Sequence, residues 1–438
     1  MSSALNLVEQ ALPMEPISIW GGATLLVWSL VHFGFACFFR MIVVRKTLGQ
    51  SDRESIDEND GKVSVLLSLR GCDPFLATTL KRLLEQTYRN FEIIAVIDSR
   101  QDPSWKVAKQ IQSRHDHDHR FRILELVDPR STCGLKCSSL VQATQHIADD
   151  SEFVVLIDAD VVPHADWLKD VLRPLRDPRI GVVTGGQWFS PERPGWGALL
   201  RSVWNSGAMV ATAINGNPWA GTCAMRLSDL RRSGLVEKWT TSIVDDGPIK
   251  PAFGRLGLKV YFEPKLLMIN RDQCSAKFTG TYVTRMLTWS RIFEKTFVNT
   301  VLHAVAMAGL WGAAALSFVV DALLGNSTVV FVGSALLLSN LMMLAGYCLI
   351  RQSVRDAISF RSDRNSIAAM SLNRAVRIFL LIPLCQFTHL IWTFRAIFAR
   401  QAKWREITYR LLPRQRVEMV SYHPYAVDTD AATPNASI

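Results

Sequence analysis

Three stretches of the chain are apolar without a single charge: Ile17–Phe39, Phe297–Val320 and Thr328–Ile350. Each is long enough to cross about 30 Å of hydrocarbon as a helix. Between the first and the second lies a long block with the pattern of a soluble domain. Val63–Leu69, Phe91–Ile97, Phe121–Val127 and Phe153–Ile157 are short apolar runs of strand character. Phe75–Gln86, Trp105–Arg114 and Leu135–Ile147 carry apolar residues at helical spacing. Strands alternating with helices predict an α/β domain built on a parallel, three-layer sheet.

The rest of the pattern concerns the boundary of that domain. The polar, acidic residues 47–62 read as a linker. Trp196–Ile214 is helical and fits a core helix or one lying on a membrane surface. Val244–Gly247 opens a further helix. Thr281–Phe297 is amphipathic and runs straight into the next apolar stretch, which predicts an interfacial helix lying in the membrane plane over 281–297. A last apolar run, Ile378–Phe394, is short and holds Pro383, Gln386 and His389. It is basic on both sides, and Lys and Arg mark cytosolic flanks. One crossing would leave a basic flank outside, so 375–398 is expected to form a kinked re-entrant or interfacial hairpin, with a fourth span as the alternative.

Composition narrows the class. Of 438 residues, 49% are hydrophobic and 20% charged, too charged for a polytopic transporter and too apolar for a plain soluble enzyme. The net charge of +10 gathers beside the apolar runs, at Arg40, Arg45, Lys46 and Arg400–Arg416. That placement suits anionic lipid and puts residue 40 onward in the cytosol. No aromatic–basic module argues for nucleic acid. The eight cysteines form no CxxC pair and no zinc spacing, so free thiols in a reducing compartment are expected. Residues 1–16 lack Lys and Arg and the run after them is long for a signal core, so 17–39 reads as a span behind a non-cytosolic tail.

The chemistry sits at Asp158-Ala159-Asp160, at the end of a strand. Two carboxylates there offer hard oxygen ligands to Mg²⁺ or Mn²⁺, ions that share their coordination with phosphate oxygens. The plainer alternative is a helix cap and a solvated loop acid. Asp98 ends another strand, and ligands of such sheets bind beyond the carboxyl ends of strands. Neither GxGxxG nor a Walker A pattern occurs. His32 and His303 carry no functional reading, and Gln386 and His389 read as helix-packing polar residues.

Val63–Pro74, Asp98–Pro103, Lys136, Asp158–Asp160, Gly221–Arg226, Asp246, Arg285-Met-Leu-Thr-Trp289 and Trp404-Arg-Glu-Ile-Thr-Tyr-Arg410 occur in that order. Together they resemble the membrane-bound inverting glycosyltransferases of the GT-A fold (a Rossmann-like nucleotide-diphospho-sugar transferase domain), above all the ceramide glucosyltransferases. The likeness covers about 60–420. It implies a cytosolic GT-A domain over 63–280, joined to transmembrane and interfacial helices and a basic tail over 399–438. It also implies that Asp98 meets the uracil of a UDP-sugar donor and Lys136 the nucleotide or its phosphates. Asp158 and Asp160 would hold the diphosphate through Mg²⁺ or Mn²⁺, and Asp246 would be the catalytic base. Arg285 and Trp289 match the ends of a (Q/R)xxRW signature, and Trp404 and Arg405 a WRxxxYR element, all on the acceptor or phosphate side. Thr288 stands where the signature has Arg, and Arg291, one turn along, is the candidate substitute. The expected activity is transfer of one hexose to a lipid hydroxyl. A processive polysaccharide synthase and an inactive lipid-binding module are the alternatives.

Overall fold

The computed structural model describes residues 14–48, 60–359, 361, 367 and 369–425. Most of the expected tail 1–16 and linker 47–62, and the end of the basic tail 399–438, lie outside the described residues. The chain opens with α1 (Met14–Leu48). It continues through β1 (Lys62–Leu69), α2 (Leu76–Leu84), β2 (Phe91–Ile97), α3 (Pro103–His115), β3 (Phe121–Glu125), α4 (Leu135–Thr144) and β4 (Ser151–Ile157). After these come α5 (Trp167–Leu172), β5 (Ile180–Phe189), α6 (Trp196–Asn215), β6 (Thr222–Arg226), α7 (Leu227–Ser233), α8 (Leu235–Trp239), α9 (Ile249–Gly254) and β7 (Lys259–Asn270). Four helices follow: α10 (Ala276–Phe293), α11 (Phe297–Leu324), α12 (Thr328–Ser359) and α13 (Leu372–Phe398). Short strands β8 (Gln401–Trp404), β9 (Ile407–Leu411) and β10 (Val417–Ser421) come last.

The large sheet has the order β3-β2-β1-β4-β6-β5-β7. Strands β1 to β4 run parallel, as the continuous apolar runs predict for strands covered on both faces. The expected all-parallel sheet is corrected beyond β4: β6 is antiparallel to both β4 and β5, and β7 returns parallel to β5. Pro264 sits inside β7 and is tolerated because β7 is an edge strand and the register slips there. β1 lies between β2 and β4, so the chain reverses direction across the sheet at β1 and opens a crevice beyond the ends of β1, β2 and β4.

Among the described residues four helices, α1, α11, α12 and α13, are long and apolar enough to cross a membrane. They are not loosely tethered. Phe39 and Val43 of α1, Leu199 and Met209 of α6, Tyr347 and Val354 of α12 and Trp392 of α13 share one core with Phe262 and Leu267 of β7. The amphipathic helix is α10, which stops at Phe293 and is separated from α11 by a short turn rather than running into it.

The expected hairpin at 375–398 is absent: α13 is one unbroken helix through Pro383. Proline lacks the N–H that the carbonyl four residues earlier needs. That carbonyl is Phe379 O, and Asn340 Nδ2 of α12 donates to it at 3.1 Å. A neighbouring helix thus repairs the gap that would otherwise break the segment in an apolar setting. Both ends of α13 are fastened to the α/β domain and α10. Arg374 donates to Pro191 O and Glu192 O at 3.1 and 2.9 Å, and Arg377 to Pro194 O at 2.9 Å. At the other end Arg291 of α10 donates to Ile397 O and to Ala399 O.

Candidate active site

Asp98 and Asp158 are the first residues beyond β2 and β4, so the sheet itself brings them to one crevice. Lys136 enters from the first turn of α4. That helix is seated by Gly134, whose N–H donates to Ser242 O at 2.8 Å. A Cβ on Gly134 would stand 2.2 Å from Ile243 O, so this close approach demands glycine. Lys136 Nζ then bridges two carboxylates, Asp158 Oδ1 at 2.5 Å and Asp245 Oδ2 at 2.7 Å.

Four carboxylates, Asp158, Asp160, Asp245 and Asp246, gather around this one ammonium. Burial pulls the lysine pKa down, but Asp158 and Asp245 more than offset it and the net shift is upward. Asp160 is raised by burial, then by Asp158 and Asp73, against weaker pulls from Arg405 and Lys136. Asp246 is raised by burial and by Asp245, again only partly offset by Lys136. The cluster holds more negative charge than its neighbours neutralise. The Asp160 carboxylate has no hydrogen-bond or ion-pair partner among the described residues. Together with Asp158 it fits a hard divalent cation that completes its shell with phosphate oxygens. Among the described residues no group of three His, Cys, Asp or Glu side chains is placed to hold a metal ion by itself.

The other predicted residues divide. Arg405 is at the site: it forms a two-pronged pair with Asp73, at 2.9 and 2.8 Å, and donates to Arg70 O. It stands with Glu406 at positive φ in the turn joining β8 to β9. Arg285 packs near the Tyr282 ring, 5.9 Å from its centroid, with no ion-pair partner among the described residues. Burial lowers its pKa, while Tyr282 and Asp160 favour its charge. Trp289 and Trp404 are wedged, half-buried, against the core around Trp239 and Tyr409. Thr288 is buried and returns its hydroxyl to Thr284 O at 2.7 Å. Arg291 does not substitute for the missing signature arginine, because its guanidinium caps the end of α13.

Asp98 is brought to the crevice but is not free. Arg70 pairs with it, Tyr422 Oη donates to Oδ1 at 2.8 Å, and Tyr425 N donates to Oδ2 at 2.7 Å. Residues 422–425 therefore lie across the place expected for a nucleobase, with His423 O taking hydrogen bonds from Arg70. Asp73, Asp245, Arg70 and Tyr422 were not singled out in the sequence. Asp73 and Arg70 had a signal in their position just beyond β1; Tyr422, in a polar tail, had none.

A mixed sheet of this order, with acids beyond β2 and β4 and a lysine from the helix between them, defines a GT-A glycosyltransferase. A family model for glycosyl transferase family 21 matches residues 23–417, and the chain belongs to that family. It is 23% identical over 136 residues to the glycosyltransferase GlyA of Streptococcus pneumoniae, covering 31% of this chain but only 18% of that relative's length. Among solved structures it is similar to the mannosyltransferase PcManGT of Pyrobaculum calidifontis, solved with GDP-Man and Mn²⁺. That likeness has a TM-score of 0.47 and 16% identity and covers 88% of this chain and 97% of the other. It is also similar to glucosyl-3-phosphoglycerate synthase of Mycobacterium tuberculosis, solved with phosphoglyceric acid, at a TM-score of 0.36 and 15% identity, over 54% of this chain and 83% of the other.

Proposed function

We propose that the protein is a membrane-bound, inverting hexosyltransferase that passes a single sugar from UDP to a hydroxyl of a membrane lipid, with a ceramide-like acceptor favoured. The observation that carries this reading is the excess of carboxylates around Lys136. It offers one pair, Asp158 and Asp160, to a divalent cation, and leaves Asp246 for proton transfer.

Asp246 accepts the proton that the acceptor hydroxyl must lose as it attacks the anomeric carbon. Its raised pKa suits that task, since a base works best when its pKa approaches the operating pH. Asp158 and Asp160 would hold a Mg²⁺ or Mn²⁺, which would supply charge neutralisation for the departing diphosphate. Lys136 fixes Asp158 and Asp245 in place, and the unpaired Arg285 offers a guanidinium to phosphate oxygens. A single displacement inverts the anomeric centre without a sugar–enzyme intermediate.

In this reading α1, α11 and α12 cross the bilayer, and the α/β domain faces the cytosol beside Arg40, Arg45 and Lys46. α10 and α13 lie at the surface, because both ends of α13 are tied to the same side. Three crossings leave little from which to build a polymer channel, which favours single transfer over a polysaccharide synthase. Purified protein in lipid nanodiscs, given labelled UDP-sugars, Mn²⁺ and a lipid extract, decides the matter. A chloroform-soluble labelled product is expected. A high-mass precipitable product would mean polymer synthesis, and no transfer from any donor an inactive module.

A further inference from the structure

The chain does not leave the domain when its last strand ends. β10 stops at Ser421, and Tyr422-His423-Pro424-Tyr425 continues without secondary structure over the crevice beyond β1 and β2. Pro424 favours extended backbone at His423 and has no N–H of its own, which stiffens the segment. Its polar groups are directed at the crevice.

Tyr422 Oη donates to Asp98 Oδ1 at 2.8 Å and Tyr425 N donates to Oδ2 at 2.7 Å, while Arg70 pairs with the same carboxylate. Arg70 Nη1 and Nη2 also donate to His423 O, each at 3.2 Å, and Ser99 Oγ donates to Tyr425 O at 3.0 Å. The Arg70 guanidinium lies 5.7 Å from the centroid of the Tyr422 ring and 5.3 Å from that of Tyr425. The Tyr425 ring covers Gly71, where a Cβ would stand 3.2 Å from Tyr425 Cζ. Asp98 is left 2% exposed with both of its oxygens engaged. The wall of a nucleotide pocket would leave that carboxylate an open edge, and this segment fills it.

The pattern offered to the crevice is selective. Tyr425 presents an N–H to an acid, and His423 presents a C=O to a guanidinium. The pairing edge of uracil presents the same two groups, an N–H beside a carbonyl. Cytosine and adenine carry a bare ring nitrogen and an amino group there, so neither matches.

We propose that residues 422–425 form an autoinhibitory strap that imitates the nucleobase and keeps the donor crevice shut until uracil displaces it. The inference rests on the reading that the donor is a UDP-sugar. Strap and base exclude each other because both need Asp98, so nucleotide affinity is lowered in proportion to the strapped fraction. Release is local. Tyr409 and Val417 stay in the domain core, and only a segment without secondary structure, with His423 and Pro424 exposed, has to lift.

Hydrogen–deuterium exchange of the full chain in nanodiscs, with Mn²⁺ and with or without UDP, tests the strap. UDP should make the amides of 422–425 exchange faster while the ends of β1 and β2 gain protection. CDP carries the same diphosphate on a base with the wrong edge, and at equal concentration it should leave 422–425 unchanged. Slower exchange with UDP would make the segment a wall of the pocket and overturn the proposal, as would no change with UDP or equal release by CDP. Tyr425→Pro deletes the N–H that Asp98 accepts, and Ser99→Ala removes the hydroxyl that holds Tyr425 O. Each should bind UDP at least about tenfold more tightly with the melting temperature kept, and a folded variant that binds UDP no better than wild type overturns the strap. Wild type that binds no UDP at all overturns the donor reading instead.

Discussion

Asp246 and Asp160 hold protons more tightly than ordinary aspartates, and for the same reason: burial among other acids with one lysine to share. For Asp246 the sign follows directly. The base is needed ionised, so transfer should fall as pH drops through its raised pKa, and the acid limb of the rate profile should lie above the usual aspartate value of about 3.9. A limb at or below that value would remove Asp246 from the role. Asp246→Asn should lower kcat by about 10²- to 10⁴-fold, the usual range for losing a general base, with UDP binding kept. Asp160→Ala should weaken Mn²⁺-dependent UDP binding in calorimetry; binding that no longer differs with and without metal is the expected result, and unchanged metal dependence would contradict its role.

At the scale of elements, the close contact beneath α4 gives a sharp expectation. Gly134→Ala forces a methyl against Ile243 O, so it should destabilise by about 1–3 kcal/mol and displace Lys136, visible as a lower melting temperature and lost transfer. Tyr422→Phe removes one of the three donors on Asp98. If the nucleobase uses that carboxylate, UDP affinity should rise by about ten- to a hundredfold, the worth of one hydrogen bond to a charged group. The elements differ in how legible they were. β1, β2 and β4 are largely buried on both faces and read as mainly apolar runs, broken only by residues such as Ser64, Ser68 and Glu92. β5 carries Gly185 and Gly186 and β7 carries Pro264 in a register slip, so neither shows a clean period, and β6 is brief. Asp98, Asp158, Asp160 and Asp246 were visible because strand ends and family motifs mark them. Two of the three partners that occupy Asp98, Tyr422 and Tyr425, come from more than 300 residues away in sequence, and no local pattern encodes such a contact. The continuity of α13 was hidden for a like reason: Asn340, on another helix, cancels the effect of Pro383.

Across the whole molecule, the ties at both ends of α13 make a topological prediction. Single cysteines placed at Leu372 and at Phe398, both well exposed, should react with a membrane-impermeant maleimide from the same side as the α/β domain. Labelling from opposite sides would make α13 a fourth crossing. The C-terminal strands extend the same theme. Ile407, Tyr409 and Val417 are buried in the domain core, Leu135 N donates to Tyr409 Oη at 3.1 Å, and Met419 N donates to Ser131 O at 2.7 Å. The floor of α4, and with it the seat of Lys136, is therefore finished by residues made after α11, α12 and α13. During synthesis a ribosome must deliver every hydrophobic helix before the pocket can close. On the proposed function, a half-made chain that lacks β9 and β10 has no finished seat for Lys136 and should transfer no sugar until its last strands are added.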